Sequence, residues 1–364
     1  ATINAGSGTI EIAGIGSASH GVYFGNNVAI QSSSNESTAI SITGSSTSTF
    51  GIYLGTGSAS KNLLIQSTSS TVGAGDISIA GTGPDIGIGF DYYGSSSLVQ
   101  VLSVAGDINL TAAGSEGRTI YFSNNQGVYL GQRANSTAVN GITPIAATSF
   151  GDINILSSGG ILTYGGLYVN TGSSSVVGGD VIIASDTNAL SGGFMYFADG
   201  LTVNSYGGDI TLGGGDNSAT GYAIGNTYSS SYSGHGIQID DTWVLNSSGN
   251  STDTGGDITI RAKGNASSWN AGSAGINKNI GSTDINSGTG KINITAIAQT
   301  AHTTALAVGF YIHGGSNHYF TSASPTADAI TILGDASLTS SNTAEGIWLG
   351  DASGQFEFIA TGSV

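Results

Sequence analysis

The chain contains no cysteine, which excludes disulfides, thiolate metal sites and a cysteine nucleophile at once. Proline is almost absent, at Pro84, Pro144 and Pro325 only. No apolar run approaches the roughly 20 residues that a membrane-crossing helix needs. Charge is scarce as well: Asp, Glu, Lys and Arg make up 8% of 364 residues, against roughly 25% in ordinary domains. Only 7 of these are Lys or Arg against 23 Asp and Glu, a formal net charge of −16. No basic stripe exists to displace counterions from phosphate, which speaks against a nucleic-acid partner. The same charge opposes binding to an anionic membrane surface. Helical periodicity is missing throughout, and 60 glycines would penalise helices further.

What fills the chain instead is a repeat. Gly75-Asp76-Ile77-Ser78-Ile79 returns at Gly106, Gly151, Gly179, Gly208, Gly256 and, with Lys for Asp, at Gly290. Looser copies stand at Gly8–Ile12 and Asp328–Ile332. A Gly-Asp turn followed by apolar-polar-apolar reads as a corner entering a short strand, with two side chains inward and one outward. A second motif alternates with it, as in Gly21-Val22-Tyr23-Phe24-Gly25 and Gly127-Val128-Tyr129-Leu130-Gly131. Such a unit cannot bury its own apolar face, so the copies must stack.

The expected fold is therefore all-β: one continuous, elongated parallel β-solenoid over 1–364, right-handed by the general rule for parallel crossovers. Gly-Asp onsets are 31, 45, 28, 29, 48 and 34 residues apart, and the two alternating motifs predict two coils per interval. The longer intervals predict surface insertions near 132–148, 213–234 and 263–288. Some 18–20 residues per coil would make a rod of about 90 Å. On this count successive corner aspartates fall on alternate coils, about 10 Å apart, where salt screens their repulsion. Their expected role is to cap backbone N–H groups. Calcium is the alternative cofactor, although the tandem nonapeptide that binds it in other repeats does not occur.

These two motifs, in a Ser/Thr/Asn/Gly-rich, acidic, cysteine-free chain, resemble the repeat regions of filamentous-haemagglutinin-type bacterial adhesins and of β-strand-repeat bacterial surface proteins. The resemblance covers essentially the whole chain. It implies a parallel β-solenoid, secretion to the bacterial cell surface, and an adhesive or fibre-forming role. It carries no functional residues over, because the motifs mark architecture. The sequence starts at Ala1 without Met, as a processed product or an excerpt would.

Candidate sites follow from the alternation. In Gly-apolar-Tyr-apolar-Gly the aromatic points outward, so Tyr23, Tyr53, Tyr129, Tyr168, Tyr311 and Trp348 are expected to form a surface for carbohydrate or for neighbouring filaments. The competing reading is that inserted loops fold over them as a second small core. Both termini read as ordinary coils without a polar cap, so Thr2, Ile3, Asn4, Phe356, Phe358 and Ile359 are the expected end-to-end contacts of a homopolymer. Catalytic motifs are missing. The carboxylate pairs to compare with β-helix polysaccharide enzymes are Asp240-Asp241 and Asp85 with Asp91, and His313 with His318 is a weak metal pair. The leading expectation is a non-enzymatic fibre or adhesin subunit. A carbohydrate-binding arm comes second and a polysaccharide-active enzyme third.

Overall fold

The computed structural model describes residues 1–54, 61–90, 97–114, 117–123, 126–145, 151–173, 176–189, 192–215, 217, 220–226, 234–249, 255–265, 273–299, 307–313, 316–339, 343–350 and 354–362. Among the described residues every regular element is a strand, and neighbouring strands within each sheet pair in parallel. They form three sheets. The first runs over eleven strands from Thr2–Asn4 to Phe356–Ala360. The second runs over ten in line, from Ile10–Gly16 to Ile330–Asp335, with Ala223–Ile224 joining off the path. The third holds ten, from Val22–Phe24 to Ala344–Leu349. The chain visits the three in turn, so one coil contains one strand of each. The fold is the parallel β-solenoid that the repeat predicts.

The coil count corrects the expected period. Ile77 pairs with Ile108, Ile108 with Ile153, and Ile153 with Val181, so each Gly-Asp interval spans one coil and not two. At about 4.8 Å per coil, ten steps make a rod of about 48 Å, roughly half the expected length. The residues of an interval are used up by a third strand per coil. An example is Val28–Ser32, which has neither a Gly-Asp nor an aromatic signature.

Side chains alternate as the motif demands. In Asp76–Thr82 the isoleucines Ile77 and Ile79 are buried while Asp76, Ser78 and Ala80 face outward. One apolar core runs between the three sheets from Ile10 to Phe320. Each of these aliphatic side chains contributes about 1.5–3 kcal/mol, and dozens in register sustain a thin core without disulfides.

The corners are specialised. Between first and second sheets, buried serines close the turn: the Ser247 hydroxyl donates to the Gly256 carbonyl (2.6 Å) and Ser287 to that of Gly290 (2.7 Å). Between second and third sheets the backbone folds back so tightly that a Cβ on Gly44 or Gly81 would strike the carbonyl of Gly51 or Gly87. These glycines are needed for close approach.

The insertions are narrower than expected. The stretch 263–288 contains two ordinary strands, Ile276–Lys278 and Thr283–Asn286. Within 213–234, Ala223–Ile224 pairs with the strand Ile258–Lys263. The insertion after Gln132 turns back as a tight hairpin at Asn140-Gly141, both with positive φ, between the bridged Val139 and Ile142. Val139 and Ile142 pack with Ile145 on Ala29, Leu64 and Leu102, the outer face of the first sheet. Asn140 Nδ2 donates to the carbonyls of Ala1 and Asn27, both at 2.7 Å, so this strap reaches the first coil.

Candidate functional site

The corner aspartates occupy consecutive coils. The Asp107 N–H donates to Asp76 Oδ1 (2.9 Å), and the bond repeats from Asp152 to Asp107, Asp180 to Asp152, Asp209 to Asp180 and Asp257 to Asp209. The Lys291 N–H ends the row on Asp257 (2.8 Å), and its Nζ pairs with Asp328 at 2.9 Å. The expected alternate-coil spacing is thus replaced by a ladder about 4.8 Å apart. A charge-assisted bond to each carboxylate offsets the repulsion that spacing was expected to avoid. Burial, with the neighbouring carboxylates, raises the pKa of Asp107, Asp152 and Asp209 despite the N–H donors. Among the described residues no three His, Asp or Glu side chains are grouped to hold a metal ion. An amide ladder runs beside the aspartates, where Asn154 Nδ2 donates to Asn109 Oδ1 (2.9 Å).

The six candidate aromatics divide between two sheets. Tyr129 and Tyr168 belong to the first, stacked with centroids 4.5 Å apart and planes 11° apart. Tyr23, Tyr53, Tyr311 and Trp348 belong to the third. The shared row breaks because Gly-apolar-Tyr occurs in strands of both sheets. On the third sheet Tyr121 and Tyr196 complete one outward column from Tyr23 to Trp348, broken by Gly89, Leu162, Gln238 and Asn277. Tyr23 is 53% exposed but Tyr53 only 6%, packed beneath His20 and Phe50. Tyr121 and Tyr196 are also buried, in a small outer cluster with Phe194 and Leu162, and Tyr164 stands edge-on to both. Much of the aromatic surface is therefore spent on ring–ring contact.

The paired carboxylates do not act together. Asp240 accepts hydrogen bonds from Tyr196 Oη (2.6 Å) and Gln238 Nε2 (2.7 Å), whereas Asp241 Oδ1 caps the Thr242 N–H (2.8 Å). Asp85 is exposed on a turn, and Asp91 lies outside the described residues. Near Asp240, His235 Nδ1 accepts the Ala274 N–H (3.0 Å), so in the neutral ring Nε2 carries the proton. The Asn277 amide, 3.2 Å from Nε2, must then present its oxygen. Burial holds this imidazole neutral, with its pKa down to about 4.

The two histidines part company as well. His313 lies beside Tyr311, while His318 is fully buried, with Nδ1 3.0 Å from Thr283 Oγ1. Burial and the nearby Lys278 push His318 to about 4. Lys278 itself stands in an inward column between Ile239 and Ile312, wholly buried. Its Nζ donates to the carbonyls of Ile280 and Gly281, and burial lowers its pKa to about 8. Nothing in the repeat pattern marks this cluster. The only hint is a Lys where an aliphatic residue is due.

The six candidate end residues lie at opposite edges of one sheet. Thr2, Ile3 and Asn4 form its first strand, all exposed, and Phe356, Phe358 and Ile359 belong to its last. At the C-terminal end the core lies open as a cavity of about 550 Å³ lined by Ile330, Ile332, Ile347, Leu349 and Phe358 among others. Ile3 is 39% and Phe358 46% exposed. Compared with protein-family models, with curated proteins and with solved structures, the chain finds no match.

Proposed function

We propose that this chain is a non-enzymatic structural subunit of an extracellular bacterial fibre or filamentous adhesin, built by head-to-tail joining of β-solenoids. The observation that carries the reading is the three-sided stack of parallel strands, whose inward apolar columns form one core from Ile10 to Phe320. At the last described coil, half-exposed Ile330, Ile332, Leu349 and Phe358 line a cavity together with Ser324 and Thr326. A sparsely charged Ser/Thr/Asn surface suits lateral contact with neighbouring filaments, in the manner of the adhesin repeats that the motifs resemble. A carbohydrate-binding arm is the second reading. It draws on the half-exposed Tyr23 and on Tyr164, set edge-on between Tyr121 and Tyr196.

Sedimentation velocity over a wide concentration range tests the first reading. Mass should grow without limit as concentration rises, giving elongated species of constant width. A single monomer boundary at every concentration overturns it. A glycan-binding screen with the Tyr164→Ala variant tests the second, and unaltered binding would remove the tyrosines from it.

A further inference from the structure

On the outer face of the third sheet, the column from Tyr23 to Trp348 changes chemistry for two coils. Between Tyr196 on one side and Tyr311 on the other it presents Gln238 and Asn277, paired in register. Gln238 is only 8% exposed and Asn277 is half-buried. Amides in such places cost stability unless their hydrogen bonds are complete, and nothing in the repeat calls for them.

Their bonds join into one chain. The His235 Nε2–H meets the Asn277 oxygen, so the Asn277 nitrogen faces the other way. That outer end of the Asn277 amide and Gln238 Oε1 are both buried and, among the described residues, have no other partner. A bond from Asn277 to Gln238 across the register satisfies the two, as Gln66 bonds Gln31 and Asn154 bonds Asn109 elsewhere. Gln238 Nε2 then passes the chain to Asp240 Oδ1, and Tyr196 Oη donates to Oδ2. All these donors converge on one carboxylate. A carboxylate has about four acceptor sites, so the two protein bonds fix its plane and leave two for a ligand.

Asp240 stands in the neighbouring outward row, which runs Tyr164, Ala198, Asp240 and Asn279 on successive coils. Tyr164 is 36% exposed and is held upright by edge contacts with Tyr121 and Tyr196. Two coil steps, about 9.6 Å, separate it from Asp240, with the small Ala198 between them. Asp241 is turned away to cap Thr242.

We propose that this row is a subsite for a neutral oligosaccharide, which rests on the carbohydrate-binding reading above and gives it a location. The apolar face of one sugar ring stacks on Tyr164 over Ala198, and two of its hydroxyls donate to the free acceptor sites of Asp240. An aromatic face beside an oriented polar group is the combination that sugars require. His235, Asn277 and Gln238 are positioning residues for the carboxylate. A net charge of −16 disfavours acidic polysaccharides.

Affinity electrophoresis of the whole chain in gels containing dextran, amylopectin, xylan or galactomannan tests this, with polygalacturonate as the acidic comparison. Retardation by at least one neutral polymer is expected. It should weaken roughly tenfold or more in Asp240→Asn and in Tyr164→Ala, the scale of one hydrogen bond to a charged group. Tyr23→Ala, on the same sheet but far along the rod, should bind as the parent does. Circular dichroism melting checks that each variant folds, and the exposed Tyr164 ring supplies the test if Asp240→Asn does not. Retardation that Asp240→Asn and Tyr164→Ala leave unchanged overturns the site and leaves the carbohydrate reading standing. No retardation by any neutral polymer, or retardation by polygalacturonate alone, overturns the site and its ligand class together. The ring ¹⁵N shifts of His235, identified by their loss in His235→Gln, should show the proton on Nε2. A proton on Nδ1 breaks the chain and overturns the polar centre.

Discussion

Replacing Lys278 by Met tests the reading of the core. Lys278 occupies an inward position between Ile239 and Ile312, where every other coil places an uncharged side chain. Burial lowers its pKa from 10.5 to about 8, partly opposed by Asp241 and Asp240. Because the folded value lies below the unfolded one, the fold disfavours the ammonium. Stability from this group is present in full above pH 10.5, declines as pH falls toward 8, and changes little below 7. A difference of 10.5 − 8 = 2.5 amounts to about 3 kcal/mol at 1.36 kcal/mol per pH unit. Met keeps the volume and removes the charge, while leaving the carbonyls of Ile280 and Gly281 without their donor, a cost of about 1–2 kcal/mol. The net expectation at pH 7 is a variant about 1–2 kcal/mol more stable than the parent. Its advantage should disappear and reverse by pH 10.5. Urea unfolding of both proteins at pH 7, 8, 9 and 10 reads this out, with the tyrosine titration common to the two and cancelling. A stability difference independent of pH would refute the assignment of a depressed lysine in the core.

Two sets of groups oppose each other in the acid response. Asp107, Asp152 and Asp209 have folded pKa values above their ordinary one, so they bind more protons in the native state and favour it as pH falls from 7. Buried His235 and His318, held neutral down to about 4, act the other way between pH 7 and 5. The ladder's share is read from Asp152→Asn: the parent should gain stability relative to this variant as pH falls from 7 to 5, and a difference that stays constant or shrinks would contradict it. Within the ladder, Asp152→Asn keeps an oxygen for the Asp180 N–H and should leave stability equal or slightly higher. Asp152→Ala removes the acceptor of that exposed N–H, which water can then serve, and should cost no more than about 1 kcal/mol in urea unfolding. Gly81→Ala drives a methyl group into the Gly87 carbonyl and should cost about 2–4 kcal/mol or prevent folding, whereas Gly8→Ser, whose Cβ meets nothing closer than the Ala5 carbonyl at 3.3 Å, should be far milder. Asn140→Ala removes both side-chain bonds from the strap to the first coil, leaving the Thr2 hydroxyl's bond to the residue-140 carbonyl, and places alanine at φ 50°, so proteolysis within 132–145 should accelerate.

The fold was legible because Gly-Asp-Ile-x-Ile states a corner, a strand and its inward face in five residues. The period was not legible, for a physical reason. Strands such as Val28–Ser32 and Leu98–Ser103 are buried on both faces in part, so they lack alternation and have no fixed corner residue before them. Two visible motifs were therefore counted as two coils, when they are two sides of a three-sided one. The aspartates followed that miscount: their pairwise N–H to carboxylate bonds depend on consecutive stacking, which no local pattern reports. Tyr129 and Tyr311 share a motif yet lie on different sheets, because the motif encodes a strand face and not a side of the coil. The strap carries a strong short hairpin signature in its sequence, Asn140-Gly141 between Val139 and Ile142.

Cryo-electron microscopy of the concentrated chain tests the central claim most directly, because the axial repeat reports both assembly and its geometry. Head-to-tail joining gives unbranched filaments one solenoid wide, with strands spaced about 4.8 Å along the axis. Dispersed rods of a single length at the highest attainable concentration would contradict the fibre account altogether.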